Sequence, residues 1–161
     1  MKKTLLVYGT RYGATAKSAD VIATVLREKF NHEVKVVKLS SQSEDVEIAN
    51  YDNIIVGSSI AKFSWTKRAK QFLKRDFTGK KLFIFISSAA ITYPALESGN
   101  IDKYKKWKKM FLDRKVRKAN VKPTSTAVFG GWVERNGKRS LDNWKEEDMI
   151  KWAEEIGKTT L

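Results

Sequence analysis

Short strand-forming runs alternate with helical patterns along this chain, and this order constrains the fold more than any other feature. Five runs are rich in β-branched, aromatic and leucine residues, and they cover 3–9, 34–37, 53–58, 81–86 and 126–129. Between them, apolar residues recur at the three- and four-residue spacing of one helix face. Parallel strands need crossover connections of this length, and such crossovers are right-handed. The sequence therefore predicts an α/β fold in which helices cover both faces of a parallel sheet.

The spacing of apolar residues also predicts where individual helices lie. Trp65, Ala69 and Phe72 form one face of a helix that begins near Trp65, and a very basic helix is predicted over 101–119. Asn143, with a glutamate three residues later, matches a capping box and predicts the start of the last helix.

The composition is that of one domain, 1–161, with few options for redox or metal chemistry. A length of 161 residues with 42% hydrophobic content is enough for a single core. The chain has no cysteine and one histidine, so disulfides, thiol chemistry, iron–sulfur clusters and zinc fingers are excluded. Any redox chemistry therefore requires a bound organic cofactor, and neither a catalytic side chain nor a metal site is predicted. The first residues lack a secretory apolar run, which predicts a cytoplasmic protein.

Ligands of open parallel sheets bind beyond the carboxyl ends of the strands, where the strand order reverses. Three segments, predicted to be loops, follow strands at that edge, and they cover 10–15, 58–65 and 87–93. The first segment can form a binding site for an anion. It offers the hydroxyls of Thr10 and Thr15, the close backbone approach that Gly13 allows, and the free N–H groups at the start of a helix. This segment lacks the dinucleotide and Walker patterns, so it favours a monophosphate ligand. The alternative is that the glycine only shapes the turn and a threonine only caps the helix.

The second and third segments combine small polar residues with aromatic ones. Serine pairs directly follow the third and fourth strands, at Ser58-Ser59 and Ser87-Ser88. Aromatic residues come next in the same segments: Phe63, Trp65 and Tyr93. Flat rings beside backbone hydrogen-bonding groups suit a planar heterocycle with polar edges. For Trp65, packing in the core is an equally good interpretation. For Trp132, which follows two glycines, core packing is favoured over ligand contact.

The first segment resembles the phosphate loop of the flavodoxin family, which reads Thr/Ser-x-Thr/Ser-Gly-x-Thr at the same strand-to-helix junction. Here the loop reads Thr10-Arg11-Tyr12-Gly13-Ala14-Thr15. Tyr12 stands where the family usually has a threonine or serine, so fewer hydroxyls surround the phosphate. Arg11 is expected to supply positive charge instead. Within the superfamily, the Thr-Arg pair, Gly57-Ser58-Ser59-Ile60 and Asp142-Asn143-Trp144 are similar to flavodoxin-type, menaquinone-dependent protoporphyrinogen dehydrogenases. Those enzymes carry a long basic insertion before the last helix, where this chain has only residues 134–141.

The resemblance implies a flavodoxin-like fold with a five-stranded sheet in the order 2-1-3-4-5, and FMN as the cofactor. It implies that the FMN phosphate meets Thr10, Arg11, Tyr12, Gly13, Ala14 and Thr15. It places one edge of the flavin ring on Ser58, Ser59, Ile60 and Ala61, and the other on Ser87, Ser88, Ala89 and Ala90. The implied function is an electron carrier. The alternatives are a flavin-dependent oxidoreductase of the protoporphyrinogen dehydrogenase type and a cofactor-free module that binds an acidic partner.

The net charge of +14 belongs to one part of the chain. Residues 61–122 contain 18 Lys or Arg against four acidic residues, and the rest of the chain nets to zero. A solvated basic face is one interpretation. The others are a docking site for an acidic redox partner, an anionic substrate, or peripheral contact with an anionic membrane. Nucleic acid is disfavoured because no recognition motif is present. The charge also predicts a less negative potential for the flavin's second electron than in acidic flavodoxins.

Overall fold

The computed structural model describes residues 1–40 and 46–161. Its main strands are Lys3–Gly9 (β1), Glu33–Lys38 (β2), Asn53–Ala61 (β3), Lys81–Ser87 (β5) and Ser125–Phe129 (β6). These five pair in parallel in the order β2-β1-β3-β5-β6. A short strand, Ser64–Trp65 (β4), pairs antiparallel with the end of β3. The predicted fold class and the order of the five parallel strands are confirmed.

The helices lie between the strands and at the end of the chain. They are Ala14–Phe30 (α1), Lys67–Phe72 (α2), Ala89–Glu97 (α3), Ile101–Lys108 (α4), Arg114–Lys118 (α5) and Glu146–Thr159 (α6), with a 3₁₀ turn at Ile48–Asn50 and a π-helical turn at Lys109–Asp113. A hairpin of Val133–Arg135 (β7) and Lys138–Ser140 (β8) follows the fifth parallel strand. Within the described part of the chain, no helix has the length and apolarity needed to span a bilayer.

Two apolar layers cover the two faces of the sheet. Consecutive strand residues point to opposite faces, so Leu5 belongs to the layer under α2 and the 89–118 helices, whereas Leu6 belongs to the layer under α1 and α6. Leu26 of α1 and Leu112 of the π-helical turn are each fully buried in their own layer. Burying such a side chain stabilises the fold by about 1.5–3 kcal/mol, so both layers hold the sheet in place.

The segment after β3 differs from the prediction. Trp65 lies in β4, and the helix that was expected to begin there begins at Lys67. Ser59, Ile60 and Ala61 continue β3 beyond the predicted strand end. The reason is tertiary: β3 turns back on itself through two residues and pairs with β4, which a search for helical spacing does not detect.

The segment after β5 also differs from the prediction, because α3 begins at Ala89 and 87–93 is not a loop. Ser88 caps this helix, and its Oγ accepts a hydrogen bond from the Ile91 N–H at 3.2 Å. Serines are typical of loops and of helix caps alike, and here the second role applies. Pro94 within the helix further weakens the helical pattern.

The predicted capping box of the last helix is wrong. α6 begins at Glu146 after Lys145, and no side chain caps it. The Asn143 side chain instead accepts a hydrogen bond from the Gly131 N–H at 3.0 Å and donates to the Ala89 carbonyl at 3.1 Å. Asn143 thus ties the segment after β6 to the start of α3.

The basic helix predicted over 101–119 is present, with a π-helical turn at its centre. This turn buries Phe111 and Leu112 against the sheet. Lys108 and Lys115, which the sequence places inside the apolar arc, are half-buried. The pKa of Lys115 lies below its ordinary value because burial, followed by the charges of Lys70 and Lys118, disfavours its ammonium form.

Candidate functional site

A cleft opens at the carboxyl edge of the sheet, where four parallel strands end side by side. The strand register places Ser58 beside Gly9, Ser87 beside Ser59, and Phe129 beside Ser87. The cleft has a volume of about 240 Å³. Its lining consists of Thr10, Tyr12, Ala14, Thr15, Ser59, Ile60, Ala61, Lys62, Ser87, Ser88, Ala89, Ala90, Gly131, Trp132, Val133 and Arg135.

The loop between β1 and α1 forms one end of the cleft. Gly13 has φ +97°, a left-handed conformation that strains other residues, and it stands directly before the first residue of α1. The Thr10 Oγ1 accepts a hydrogen bond from the Gly13 N–H at 3.0 Å, which closes the loop. The first turn of α1 contains no acidic residue. The loop therefore presents the positive end of a helix dipole with no carboxylate to oppose an anion.

Three buried hydroxyls of the cleft have no hydrogen-bond partner within 1–40 and 46–161. They belong to Thr15 at the start of α1, Ser59 near the end of β3 and Ser87 at the end of β5. A buried hydroxyl without a partner costs about 1–3 kcal/mol, so such groups are rare unless a ligand or water completes them. The three hydroxyls therefore lie at the start of α1 and near the ends of the two neighbouring central strands. This arrangement suits a long ligand with an anionic end and polar edges.

Eleven of the fourteen residues predicted for the site line the cleft, and three do not. Two of the three are Gly13, which closes the β1–α1 loop, and Ser58, whose hydroxyl is engaged in other hydrogen bonds. The Ser58 Oγ donates to the Ser59 carbonyl and accepts from the Thr66 N–H, both at 3.0 Å. Ser58 therefore fixes the shape of the strand end beside the cleft.

Arg11 is the third residue outside the cleft lining. Its guanidinium donates to the Ser64 and Trp65 carbonyls at 3.0 Å each and to the Ser59 carbonyl at 3.3 Å. These carbonyls belong to the paired ends of β3 and β4. The Arg11 side chain thus clamps the β1–α1 loop to the β3–β4 turn, and the expectation that it serves a phosphate stays a prediction.

The three aromatic candidates for ring stacking all lie outside the cleft lining. Trp65 is buried and its indole N–H donates to the Phe111 carbonyl at 2.6 Å, so the core-packing interpretation is confirmed. Phe63 is 77% exposed in the β3–β4 turn, and its ring stacks on that of Phe111. Tyr93 is 41% exposed on α3.

Five lining residues are absent from the set predicted by sequence: Lys62, Gly131, Trp132, Val133 and Arg135. Trp132 is buried, and its indole N–H donates to the Tyr12 carbonyl at 2.9 Å, so it packs against the β1–α1 loop. The strand-end rule that selected the other loops applies equally to Gly131 and Trp132, which follow β6. Arg135 lies on the β7–β8 hairpin, whose turn is Asn136-Gly137, the commonest two-residue hairpin turn.

The lining of the cleft is cationic. Lys62 and Arg135 line it, and none of the Asp or Glu residues within 1–40 and 46–161 does. Two further cations, Lys17 and Arg139, lie over the ring of Trp132, with the Lys17 Nζ at 5.9 Å and the Arg139 Cζ at 3.9 Å from its centroid. These cations would attract a negatively charged ligand to the cleft.

The single histidine lies at the opposite edge of the sheet. His32 is buried, with Nδ1 at 2.8 Å from the Thr4 hydroxyl and Nε2 at 3.1 Å from the Thr160 hydroxyl. Burial lowers the pKa of His32, and the charge of Lys2 acts in the same direction. His32 therefore serves packing near the amino ends of the strands and does not reach the cleft.

Comparison with known proteins places these features in a family. Residues 5–155 match the family model described as Flavodoxin domain. None of the curated protein sequences compared matches the chain. Oxidised flavodoxin 1 from Bacillus cereus is 22% identical, with 97% of each chain covered and a TM-score of 0.64. A short-chain flavodoxin associated with a non-canonical PDU bacterial microcompartment is 19% identical over 100% of both chains, with a TM-score of 0.65.

A third structure, a Fusobacterium nucleatum flavodoxin mutant bound to flavin mononucleotide, is 19% identical to this chain. The alignment covers 99% of this chain and 97% of that one, with a TM-score of 0.56. At these identities, the structural likenesses establish a shared fold.

Proposed function

Because this chain belongs to the flavodoxin domain family, we propose that it binds FMN in the cleft and acts as an electron-transfer protein. Bound FMN supplies one- and two-electron chemistry that no side chain of this protein provides. The protein's own part is to hold the phosphate, orient the ring, exclude water from one side and set the local charge.

The observation that carries this proposal is the set of three unpartnered hydroxyls in the cleft. Thr15 lies where the N-terminus of α1 meets the loop, so its hydroxyl is placed to donate to a phosphate oxygen. Ser59 and Ser87 lie at the ends of neighbouring strands, where hydroxyl groups suit the polar edge of a flavin ring. The residues present therefore fit FMN.

The remaining lining residues shape the cleft and set its charge. Ala61, Ala89 and Ala90 leave room beside the strand ends, so a flat ring can approach the backbone closely. Lys62 and Arg135 bring positive charge to the mouth of the cleft. Because the described lining residues include these two cations and none of them is Asp or Glu, the field favours a reduced, negatively charged cofactor over a neutral one.

The proposal is tested on purified protein. FMN added to the apo-protein should bind in a ratio of one to one, with its fluorescence quenched and a yellow colour that dithionite bleaches. The loaded protein should accept electrons from a ferredoxin or flavodoxin reductase. A protein that stays colourless and leaves FMN fluorescence unchanged would favour the cofactor-free binding module.

A second candidate is an FMN-dependent oxidoreductase of the protoporphyrinogen dehydrogenase type. It is supported by the similarity at Thr10-Arg11 and at Gly57-Ser58-Ser59-Ile60. The eight residues 134–141, where the resembled enzymes have a long insertion, form most of the short β7–β8 hairpin here and favour the electron carrier. Oxidation of protoporphyrinogen with a quinone acceptor is the discriminating assay, and turnover by the loaded protein would support the enzyme.

We also propose that residues 61–122 contact an anionic partner. Support comes from the charges of this segment, because none of its Lys or Arg side chains lies within ion-pair distance of a described carboxylate. An acidic redox protein or an anionic substrate would neutralise this surface, and an anionic membrane would do so as well.

A further inference from the structure

The β3–β4 turn beside the cleft has an unusual residue pair at its tip. Ala61 pairs with Ser64, so Lys62 and Phe63 form a two-residue turn, with φ angles of 49° and 60°. Asparagine and glycine are the residues preferred where both φ angles are positive. The β7–β8 hairpin follows this preference with Asn136-Gly137. The β3–β4 turn does not follow it, so Lys62 and Phe63 occupy their positions against the backbone preference.

The base of this turn is held in place from the phosphate loop. The Arg11 guanidinium donates to carbonyls on both strands of the turn, at Ser59, Ser64 and Trp65. On the other side, the Trp65 indole N–H donates to the Phe111 carbonyl. A turn fixed at its base presents its tip in one orientation, which lowers the entropy lost when another molecule binds it.

Phe63 is the most exposed aromatic side chain near the cleft, with 77% of its surface accessible. Its ring stacks on Phe111, with 5.9 Å between centroids and an interplanar angle of 29°. The ring is therefore supported from one side and free on the other. Aromatic residues with this combination of rigidity and exposure commonly act as anchors in protein interfaces.

The helical segment that supports Phe63 is strongly basic. Residues 101–118 contain nine Lys or Arg and two acidic residues. Lys105 and Lys109 are exposed and lie one turn apart, on the same face of the helix. No described carboxylate lies within ion-pair distance of any of the nine cations. Such a surface attracts an acidic partner and orients it before contact.

We propose that the Lys62–Phe63 turn and the basic helical segment 101–118 form a docking surface for an acidic protein, with Phe63 as its anchor. This inference rests on the proposed function, because Lys62 also lines the cleft and docking here would bring the partner to its mouth. A single exposed aromatic ring beside an exposed, charged helix is suited to contact with another protein. A membrane would instead require a broad apolar face, and single-stranded nucleic acid would require a row of stacking rings.

The test uses the FMN-loaded protein and an acidic [2Fe–2S] ferredoxin as the probe. In a titration at low salt, the backbone NMR signals of residues 62–63 and 101–118 should shift, and calorimetry gives the affinity.

The variants test the individual residues. Phe63→Ser should weaken ferredoxin binding about tenfold, as expected for an interface anchor, while FMN affinity stays within about twofold. The double variant Lys105→Glu and Lys109→Glu should weaken it further and flatten its salt dependence. The matched control, Lys35→Glu with Lys151→Glu, makes the same charge change outside the segment and should bind normally.

Several outcomes would overturn the proposal. They are the absence of ferredoxin binding at low salt, signal changes centred elsewhere, and equal weakening by the control pair. Tighter binding of a single-stranded oligonucleotide or of phosphatidylglycerol vesicles than of ferredoxin would show that the surface serves another partner. A large loss of FMN affinity in Phe63→Ser would show that this ring serves the cofactor. The same ferredoxin titration is run on the apo-protein, so failure of FMN uptake would refute the proposed function while the apo-protein titration still supports or overturns the docking surface.

Discussion

The two helical layers of this protein differ in regularity and in charge. On one face, α1 and α6 are long continuous helices joined by the ion pair between Lys29 and Glu154. On the other face, α2 to α5 are short, and α4 and α5 are joined by a π-helical turn. Residues 61–122, which contain these helices, carry the whole net charge. The first layer is built from regular helices and meets the cleft at the start of α1. The second has features that packing alone does not require, which is typical of binding surfaces.

The largest expected effect tests whether the irregular layer is a true core. Leu26→Ala in the α1 layer and Leu112→Ala in the π-helical turn each remove a fully buried side chain. Both should lower the free energy of unfolding by about 2–5 kcal/mol, measured by urea denaturation. A loss for Leu112→Ala below about 1 kcal/mol would break the comparison, because it would show that the basic layer is only loosely attached.

The next effect concerns the end of the cleft that α1 provides. Thr15→Val removes the unpartnered hydroxyl while keeping the side-chain shape, so FMN binding should weaken by about 1.5–3 kcal/mol, the range for a hydrogen bond to a charged group. FMN fluorescence quenching measures the change. Thr159→Val, at an exposed threonine of α6, is the control and should bind FMN like the wild type.

A smaller effect concerns charge at the mouth of the cleft. One cation about 10 Å from the flavin, at an effective dielectric constant near 20, contributes roughly 1.7 kcal/mol, or about 70 mV for one electron, before salt screening. Arg135→Gln and Lys62→Gln should therefore each make the potential of the flavin's second electron more negative, by up to this amount at low salt.

The control for this shift is Lys138→Gln, which removes a charge from the same hairpin but not from the cleft lining. Its potential should stay closer to that of the wild type in a spectroscopic redox titration. Equal shifts in all three variants would mean that total charge sets the potential, and that the lining residues have no special role.

The smallest effect concerns the regular layer and the amino edge of the sheet. The pKa of His32 in the native protein is lower than its ordinary value of 6.5, because burial disfavours the charged ring. As the pH falls through this value, the unfolded chain binds a proton that the native protein resists, so the free energy of unfolding should fall. This loss should be present between pH 7.5 and 5.5 in the wild type and reduced in His32→Gln. A wild type whose stability is flat over this range would contradict the assignment.

Most of the fold could be predicted from the sequence, because strand-forming runs and helix spacing are local patterns. β1, β2, β3, β5 and β6 follow from such patterns, whereas their order was implied by the resemblance to the flavodoxin family. β4 and α3 could not be predicted in this way. β4 is two residues long and exists only because β3 turns back on it, and α3 depends on a Ser88 cap that also reads as a loop signal.

The candidate site was predictable where it follows the strand-end rule and not where it depends on side-chain direction. Thr15, Ser59 and Ser87 lie at strand or helix ends, and the structure brings their hydroxyls to one cleft. Arg11 lies in the predicted loop, but its side chain turns to the carbonyls of the neighbouring strands. No sequence spacing gives that direction, since it depends on carbonyls 48 to 54 residues away along the chain.

The most direct test of the central claim compares FMN with riboflavin, which lacks the phosphate, in the wild type and in Thr15→Val. If the loop before α1 is the phosphate site, the wild type should bind FMN at least about tenfold more tightly than riboflavin, and Thr15→Val should lose most of that preference while its riboflavin affinity stays the same. Equal affinities for the two flavins in the wild type, or a preference that Thr15→Val leaves intact, would contradict the account.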